Sequence, residues 1–481
     1  MVRTLVPLVL LLCHEGSGAG AFAAPFAAGV ASRLPPINRR GAASPGSTVS
    51  LNAVSLKMSG GETTEVGGGT ATMSSEIFNL VKNICGAGVL ALPAGIAAFG
   101  DAPSALLPAA AMIGSLGLLS AYSFSLIGRV CAMTGATSYR DCWDKTVGRS
   151  TSWLPAASTT FKTGVANLAY SMILADTFKS LFAAAGYNFS RSNVLFGITG
   201  SVLLPLCLLK NLASLAPFSL LGIIGMGFTT ASMGIRYLDG SYKAGGKFVA
   251  ELAPNLTPAF GTKGAAAVMN PNSFILVCML STAYLAHYNA PKYFNELKDN
   301  TVKRFNTVVA TSFAVSSLTF IGVASLGFLT FGSNSAGLIL NNYATGDVLA
   351  SLSRIAVALS IVFSYPLTFV GIRDGLLDLA SVPEEKRTNP LLDKLSVIIL
   401  AAVTGLALKV KDLSFVLSFG GATLGNAIIF VYPVCMFVKA VRDLGDKASA
   451  SLKKEVPLAI SIAATGIGLG IIGTKMALKS L

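Results

Sequence analysis

Apolar stretches near or above the ~18 residues needed to cross a bilayer recur along almost the whole chain, which leaves little freedom in what it can fold into. Eleven are counted, at 76–98, 104–130, 160–185, 193–210, 214–236, 273–290, 306–330, 347–371, 392–409, 412–438 and 455–478. The sequence therefore predicts an all-α integral membrane protein with eleven transmembrane helices. Only the ends and the loops at 131–159, 237–272 and 372–391 are long enough for water-exposed structure. Charged residues make up 12% of the chain, whereas soluble domains carry roughly 25%. No room remains for a separate soluble enzyme domain. No Ser/His/Asp set, metal cluster or phosphate loop occurs in a suitable context, so neither an enzyme nor a cofactor is expected.

The formal charge of +14 invites a nucleic-acid reading, and its placement answers it. With residue 75 on the cytosolic side (the stroma, if the protein is plastidic), the inner loops hold about twice as many Lys and Arg residues as the outer ones, as the positive-inside rule requires. The charge orients the chain in a lipid bilayer, N-terminus in and C-terminus out, and implies no nucleic-acid partner. The sequons at Asn188 and Asn255 both fall in loops this topology puts outside. The cysteines show no metal-ligand spacing and read as small packing residues.

Two of the apolar stretches are interrupted. The first carries Gly86-Ala87-Gly88 and then Pro93; the sixth carries His287-Tyr288-Asn289-Ala290-Pro291 about two hundred residues later. Glycine leaves helical geometry at low cost and proline removes a donor, so backbone N–H and C=O groups are freed in mid-membrane. Paired interruptions in two halves of a membrane protein point to a binding site for a small polar solute. For Gly86 and Gly88 the competing explanation is close helix packing of the small-xxx-small kind.

The N-terminus differs in character. Arg3, the apolar run 5–13 and the small residues ending Ala19-Gly20-Ala21 have the three parts of a secretory signal over 1–21. Residues 22–61 hold four basic and no acidic residues among many Ala, Ser, Gly and Pro, so 22–72 reads as a transit peptide or a disordered segment. The junction at Phe22 resembles the bipartite plastid-targeting signal of algae with complex plastids. A plastid envelope location follows from that resemblance; the alternatives are the vacuolar or other endomembranes and the plasma membrane.

Residues 75–440 resemble the amino acid/auxin permease family of eukaryotic amino acid transporters. The resemblance rests on Asn79-Leu80 with Gly86 to Pro93, the segment 205–215, His287 with Asn295-Glu296-Leu297-Lys298, Phe328 to Gly332 with Ile339-Leu340-Asn341, and Tyr365-Pro366, in the family's order. It implies a five-plus-five inverted repeat of the leucine-transporter type. Repeats then cover about 75–236 and 273–438 within a transporter domain over 73–481, helices one and six are broken, and 455–478 is an extra helix.

An amino acid carries a carboxylate and an ammonium. The half-helix starting at Gly86-Ala87-Gly88 offers unpaired N–H groups to the first, and unwound carbonyls around Ser281–Tyr284 and Cys85 suit the second. His287 at the second break is either a proton switch or a hydrogen-bonded structural residue, and Asn289 either meets substrate or satisfies freed backbone. The resemblance also implies that Lys82, one turn before Gly86, stands where sodium-coupled members have a polar residue, with Ser364 or Ser360 as the facing hydroxyl. A fixed ammonium there would exclude sodium; alternatively Lys82 snorkels to the inner interface. Asp176 is the candidate counter-ion of Lys82, or else pairs with Lys179. Together these imply a sodium-independent amino acid transporter driven by protons or by the substrate gradient alone, with a nutrient-sensing receptor of the same fold as the alternative.

Overall fold

The computed structural model describes residues 69–209 and 219–479, with the backbone alone at 219–221 and 384. The targeting segments read at 1–21 and 22–72 lie outside the described residues, apart from residues 69–72. Among the described residues the structure is helical and without strands; two isolated bridges pair Ala71 with Leu297 and Ala259 with Gly332.

Local sequence signals set the helix ends. Helix α1 (Met73–Ile84) starts at Thr72, whose hydroxyl accepts the Ser75 amide at 3.2 Å. It stops at Cys85, Gly86 is extended, and a 3₁₀ turn over Ala87–Ala91 leads into α2 (Leu92–Ala97). Pro93 fits the first turn of α2, where an amide proton has no partner to lose. The two halves are bent by 43°. Helix α3 (Leu106–Thr134) ends on Gly135, whose φ of 62° closes the last turn in the left-handed region that glycine enters freely. The short α4 (Tyr139–Thr146) follows, capped by Ser138, and then α5 (Trp153–Ala184).

Helix α6 (Arg191–Ile198) continues through a π turn into α7 (Leu204–Cys207), and α8 is Ser219–Leu238. The second break separates α9 (Ser273–Ala283) from α10 (Ala290–Glu296), with a 3₁₀ turn at His287–Asn289 between them. Long helices α11 (Val302–Phe331), α12 (Val348–Leu379) and α13 (Asn389–Lys409) follow. Helix α14 (Leu413–Gly420) passes through two π turns, Gly421–Gly425 and Ala427–Val431, into α15 (Tyr432–Leu444), and α16 (Ala450–Lys479) closes the described chain.

Among the described residues, six helices are long and apolar enough to cross a membrane, and a seventh if α1 and α2 count as one bent span. The eleven segments read from the sequence all carry helix. Four segments fall outside that tally: α6 and α7 are separated by a π turn, α9 and α10 by a break, α5 carries Lys162, Asn167, Asp176 and Lys179, and α8 is described only from Ser219 and carries Arg236.

Helices α5 and α12 pack closely because Gly371 and Gly375, four apart, face Thr163 and Thr160. Helix α11 packs on α3 and α1, and its Gly327 sits against Pro93; a Cβ there would stand 2.9 Å from the Ile339 side chain. At the end where α8 finishes and α12 begins, Asp347 is fully buried. Its carboxylate accepts from Arg236 Nε at 2.9 Å, Arg236 Nη2 at 2.8 Å and the Tyr242 hydroxyl at 3.0 Å, and it caps α12 through the Leu349 amide at 3.0 Å. Arg354, 1% exposed, donates to the Leu340, Tyr343 and Ala344 carbonyls. A second tie holds the start of the described chain: the Ala71 amide donates to the Glu296 carbonyl at 2.9 Å and the Lys298 amide to the Ala71 carbonyl at 2.8 Å, so the segment before α1 is fastened to the end of α10.

Candidate functional site

A cavity of about 90 Å³ opens where the α1–α2 break, the end of α9, α5 and α14 converge. One water needs roughly 10–15 Å³ on this measure, so there is room for a solute of several heavy atoms. From α5 the lining residues are Lys162, Val165, Ala166, Ala169, Tyr170 and Ile173. These recur at three- and four-residue steps, so a single face of α5 forms the wall.

The opposite wall is the break itself. Gly86, Ala87 and Gly88 all line the cavity. The first bond of the turn runs from the Val89 amide to the Gly86 carbonyl at 3.1 Å, and no side chain caps it. The Ala87 and Gly88 amides thus have no partner in their own helix. A methyl group added at Gly86 would meet only the Tyr170 hydroxyl, at 3.9 Å, and one at Gly88 only Leu417 Cδ2, also at 3.9 Å. Close helix packing therefore does not require either glycine: both face open space. The carbonyl ends of α1 and α9 complete the site, with Asn83, Ile84, Thr282 and Ala283 on the lining. The Thr282 hydroxyl donates to the Leu417 carbonyl at 2.5 Å and fixes the end of α9 to α14. Gly420 and Gly421 let α5 and α9 come close to α14 here, since Gly420 faces Val165 and Gly421 faces the Cys278 carbonyl.

Other residues expected at the site lie behind it. The Cys85 thiol turns toward Ser316 and Thr319 of α11. Ser281 bonds back to the Val277 carbonyl at 3.1 Å. The Tyr284 hydroxyl donates to the Ile113 carbonyl at 3.0 Å and meets Ser317 at 2.8 Å, packing α9 onto α3 and α11. His287, fully buried, sets Nε2 3.0 Å from both the Ser123 hydroxyl and the Ser120 carbonyl, with Phe124 edge-on to its ring. Asn289 is half-buried and its amide donates to the Ala286 carbonyl; it does not line the cavity.

Lys82 is half-buried one turn before Gly86 and makes no hydrogen bond or ion pair with a described residue. Asp176 pairs with neither Lys82 nor Lys179. Arg191, brought back by the turn between α5 and α6, donates from Nε to Asp176 Oδ1 at 2.6 Å and from Nη1 to the Ala407 carbonyl at 2.8 Å. Ser360 faces α8, 2.8 Å from where a Cβ on Gly222 would stand, and the Ser364 carbonyl accepts the Thr368 hydroxyl.

The structure also adds residues the sequence reading passed over, chiefly Lys162 and Tyr170. Lys162 Nζ donates to the Tyr288 hydroxyl at 2.9 Å and stands 4.6 Å from the centre of the Tyr288 ring. Its signal was present, since a lysine inside an apolar span calls for explanation. The apolar run begins near residue 160, which put Lys162 at the membrane boundary; the helix begins at Trp153, which moves it roughly 14 Å along the axis.

The chain matches the family described as "Transmembrane amino acid transporter protein" over residues 69–478. It is similar to a Mus musculus protein named "Putative sodium-coupled neutral amino acid transporter 11", 24% identical over 77% of this chain and 79% of that protein. It is also similar to the Arabidopsis thaliana "Amino acid transporter AVT6B", 24% identical over 81% of this chain and 86% of that one. Its fold matches a solved structure described as "Inward facing conformation of Mhp1" with a TM-score of 0.53, 12% identity, and coverage of 85% and 89% of the two chains. A match across nearly all the described residues, together with long apolar helices and relatives named as carriers, makes this chain a multi-pass membrane member of the transmembrane amino acid transporter family and not an enzyme.

Proposed function

We propose that this protein is a secondary transporter that carries a small neutral amino acid across its membrane by alternating access, without sodium, using protons or the substrate gradient alone. The observation that carries the reading is the cavity at the α1–α2 break. Ala87 and Gly88, whose amides have no helical partners, line it together with the residues at the carbonyl ends of α1 and α9. The amides suit a carboxylate and the carbonyls an ammonium. The cavity's size and its largely apolar α5 wall suit a short, uncharged side chain, and the mouse relative is named for neutral amino acids.

The architecture proposed with it is eleven crossings in a five-plus-five inverted repeat, supported by the interruptions at Gly86 and His287 in helices of corresponding rank. Sodium independence rests on Lys82, which pairs with no described residue and lies one turn from the site. For location, the sequence of residues 1–72 supports the plastid envelope.

The deciding experiment is uptake of a panel of labelled amino acids into proteoliposomes, with sodium and pH varied separately. Saturable uptake of small neutral amino acids, unchanged when choline replaces sodium, is expected. Uptake that rises steeply with sodium would refute the coupling, and no saturable uptake of any amino acid would refute transport itself. If Lys82 carries the driving proton, Lys82→Ala removes the pH dependence or stalls the cycle.

A further inference from the structure

Among the described residues that line the cavity, Lys162 alone carries a charged side chain. An ammonium has three donors. One is directed at the Tyr288 hydroxyl and the ring face lies beneath, and among the described residues no carboxylate forms an ion pair with it. The helix start at Ala87 presents its positive end to the same cavity, and the opposite partial charge on the lining, at the carbonyl ends of α1 and α9, is what the substrate's own ammonium would occupy. Lys162 lies eight positions before Tyr170, the residue beside Gly86, so roughly 12 Å of helix axis separates it from the carboxylate end. An amino acid with a cationic side chain would bring a second positive charge into the cavity that Lys162 lines.

We infer that Lys162 is a charge filter: it shuts out amino acids whose side chain carries a second positive charge, and leaves the cavity open to neutral and acidic ones. This rests on the transport reading above. Two unit charges ~10 Å apart at an effective dielectric of ~20 repel by roughly a tenfold change in binding constant, and more at closer range. Tyr288 acts as a positioning residue. Its ring and hydroxyl hold the ammonium in place.

The test uses the full-length chain in proteoliposomes, with labelled alanine as the reporter and an isosteric pair of competitors, norvaline and 2,4-diaminobutyrate. These differ only in a terminal methyl against a terminal ammonium. In the unmodified protein, diaminobutyrate should inhibit at least about tenfold more weakly than norvaline. Lys162→Met should shrink that gap by about tenfold, and Lys162→Arg should preserve it. Lys162→Gln serves in place of the methionine variant should that one not fold. Equal inhibition by the two competitors in the unmodified protein, or a gap that survives loss of the charge, overturns the filter while leaving amino acid transport intact. Absence of alanine uptake by the unmodified protein overturns the transport reading and this inference with it.

Discussion

Replacing Gly88 with alanine separates binding from folding. At this position a methyl group meets one atom, Leu417 Cδ2 at 3.9 Å, which is ordinary van der Waals contact, and the backbone is not in the left-handed region. Alanine in place of glycine in a compatible helical turn stabilises by about 0.4–1 kcal/mol through the unfolded chain. Stability should therefore hold or rise slightly. The same methyl is added at a residue that lines a cavity of about 90 Å³, beside the amides proposed to hold the carboxylate. One methyl of misfit in a binding pocket is worth about 1–3 kcal/mol, or ~10–200-fold in kcat/KM.

The assay pairs initial-rate uptake of labelled alanine in proteoliposomes with thermal unfolding in detergent. Gly327→Ala is the control, since there the added atom collides with Pro93 and stands 2.9 Å from Ile339; it should lower stability by about 1–3 kcal/mol. Gly88→Ala protein that is as stable as the unmodified protein and transports equally well would refute the placement of the carboxylate. A loss of stability matching that of Gly327→Ala would show that Gly88 is a packing residue after all.

Three further outcomes are expected. Asp347→Ala leaves Arg236 and Tyr242 without their shared buried partner and should lower stability by about 3 kcal/mol, read as a fall in unfolding temperature; a loss below about 1 kcal/mol would mean the cluster does not hold this end together. His287→Gln should cost about 1–3 kcal/mol of stability while uptake per folded molecule and its pH profile stay close to those of the unmodified protein, because the ring serves Ser120 and Ser123 and not the cavity; lost uptake at full stability would restore it to the site. Residues 1–72 fused to a fluorescent protein should reach the plastid of a complex-plastid alga and be diverted by Phe22→Ala, whereas retention of the unmodified fusion in the secretory pathway would sink the plastid assignment.

What the sequence made legible was local. The break between α1 and α2 is written in Gly86, Gly88 and Pro93, residues whose backbone preferences act at their own positions, and Gly86, Ala87 and Gly88 do line the cavity. What stayed hidden depended on rotation about helix axes. The α5 wall from Lys162 to Ile173 is a helical stripe, but the other faces of a membrane helix are apolar too, so periodicity gave no reason to choose this one. His287 shows the same limit in reverse. Its place beside the second break was readable, yet the 3₁₀ turn rotates the ring onto α3 and away from the cavity. Asp176 found its partner across a hairpin, in Arg191, where counting turns along one helix offered only Lys179.

The two backbone bonds that fasten Ala71 to Glu296 and Lys298 make a lever of two elements far apart in sequence. Alpha helices transmit displacement along their length, so the start of α1 and the end of α10 cannot shift independently while these bonds last. Each is worth about 0.5–1.5 kcal/mol, and 1.4 kcal/mol is a tenfold change in an equilibrium. Breaking the pair thus reweights any two arrangements that differ in the separation of α1 from α10 by roughly tenfold to a hundredfold. Gly69 sits against the Glu296 and Leu297 carbonyls with no space for a side chain, so a single substitution there is enough to release the lever without touching a residue that lines the cavity.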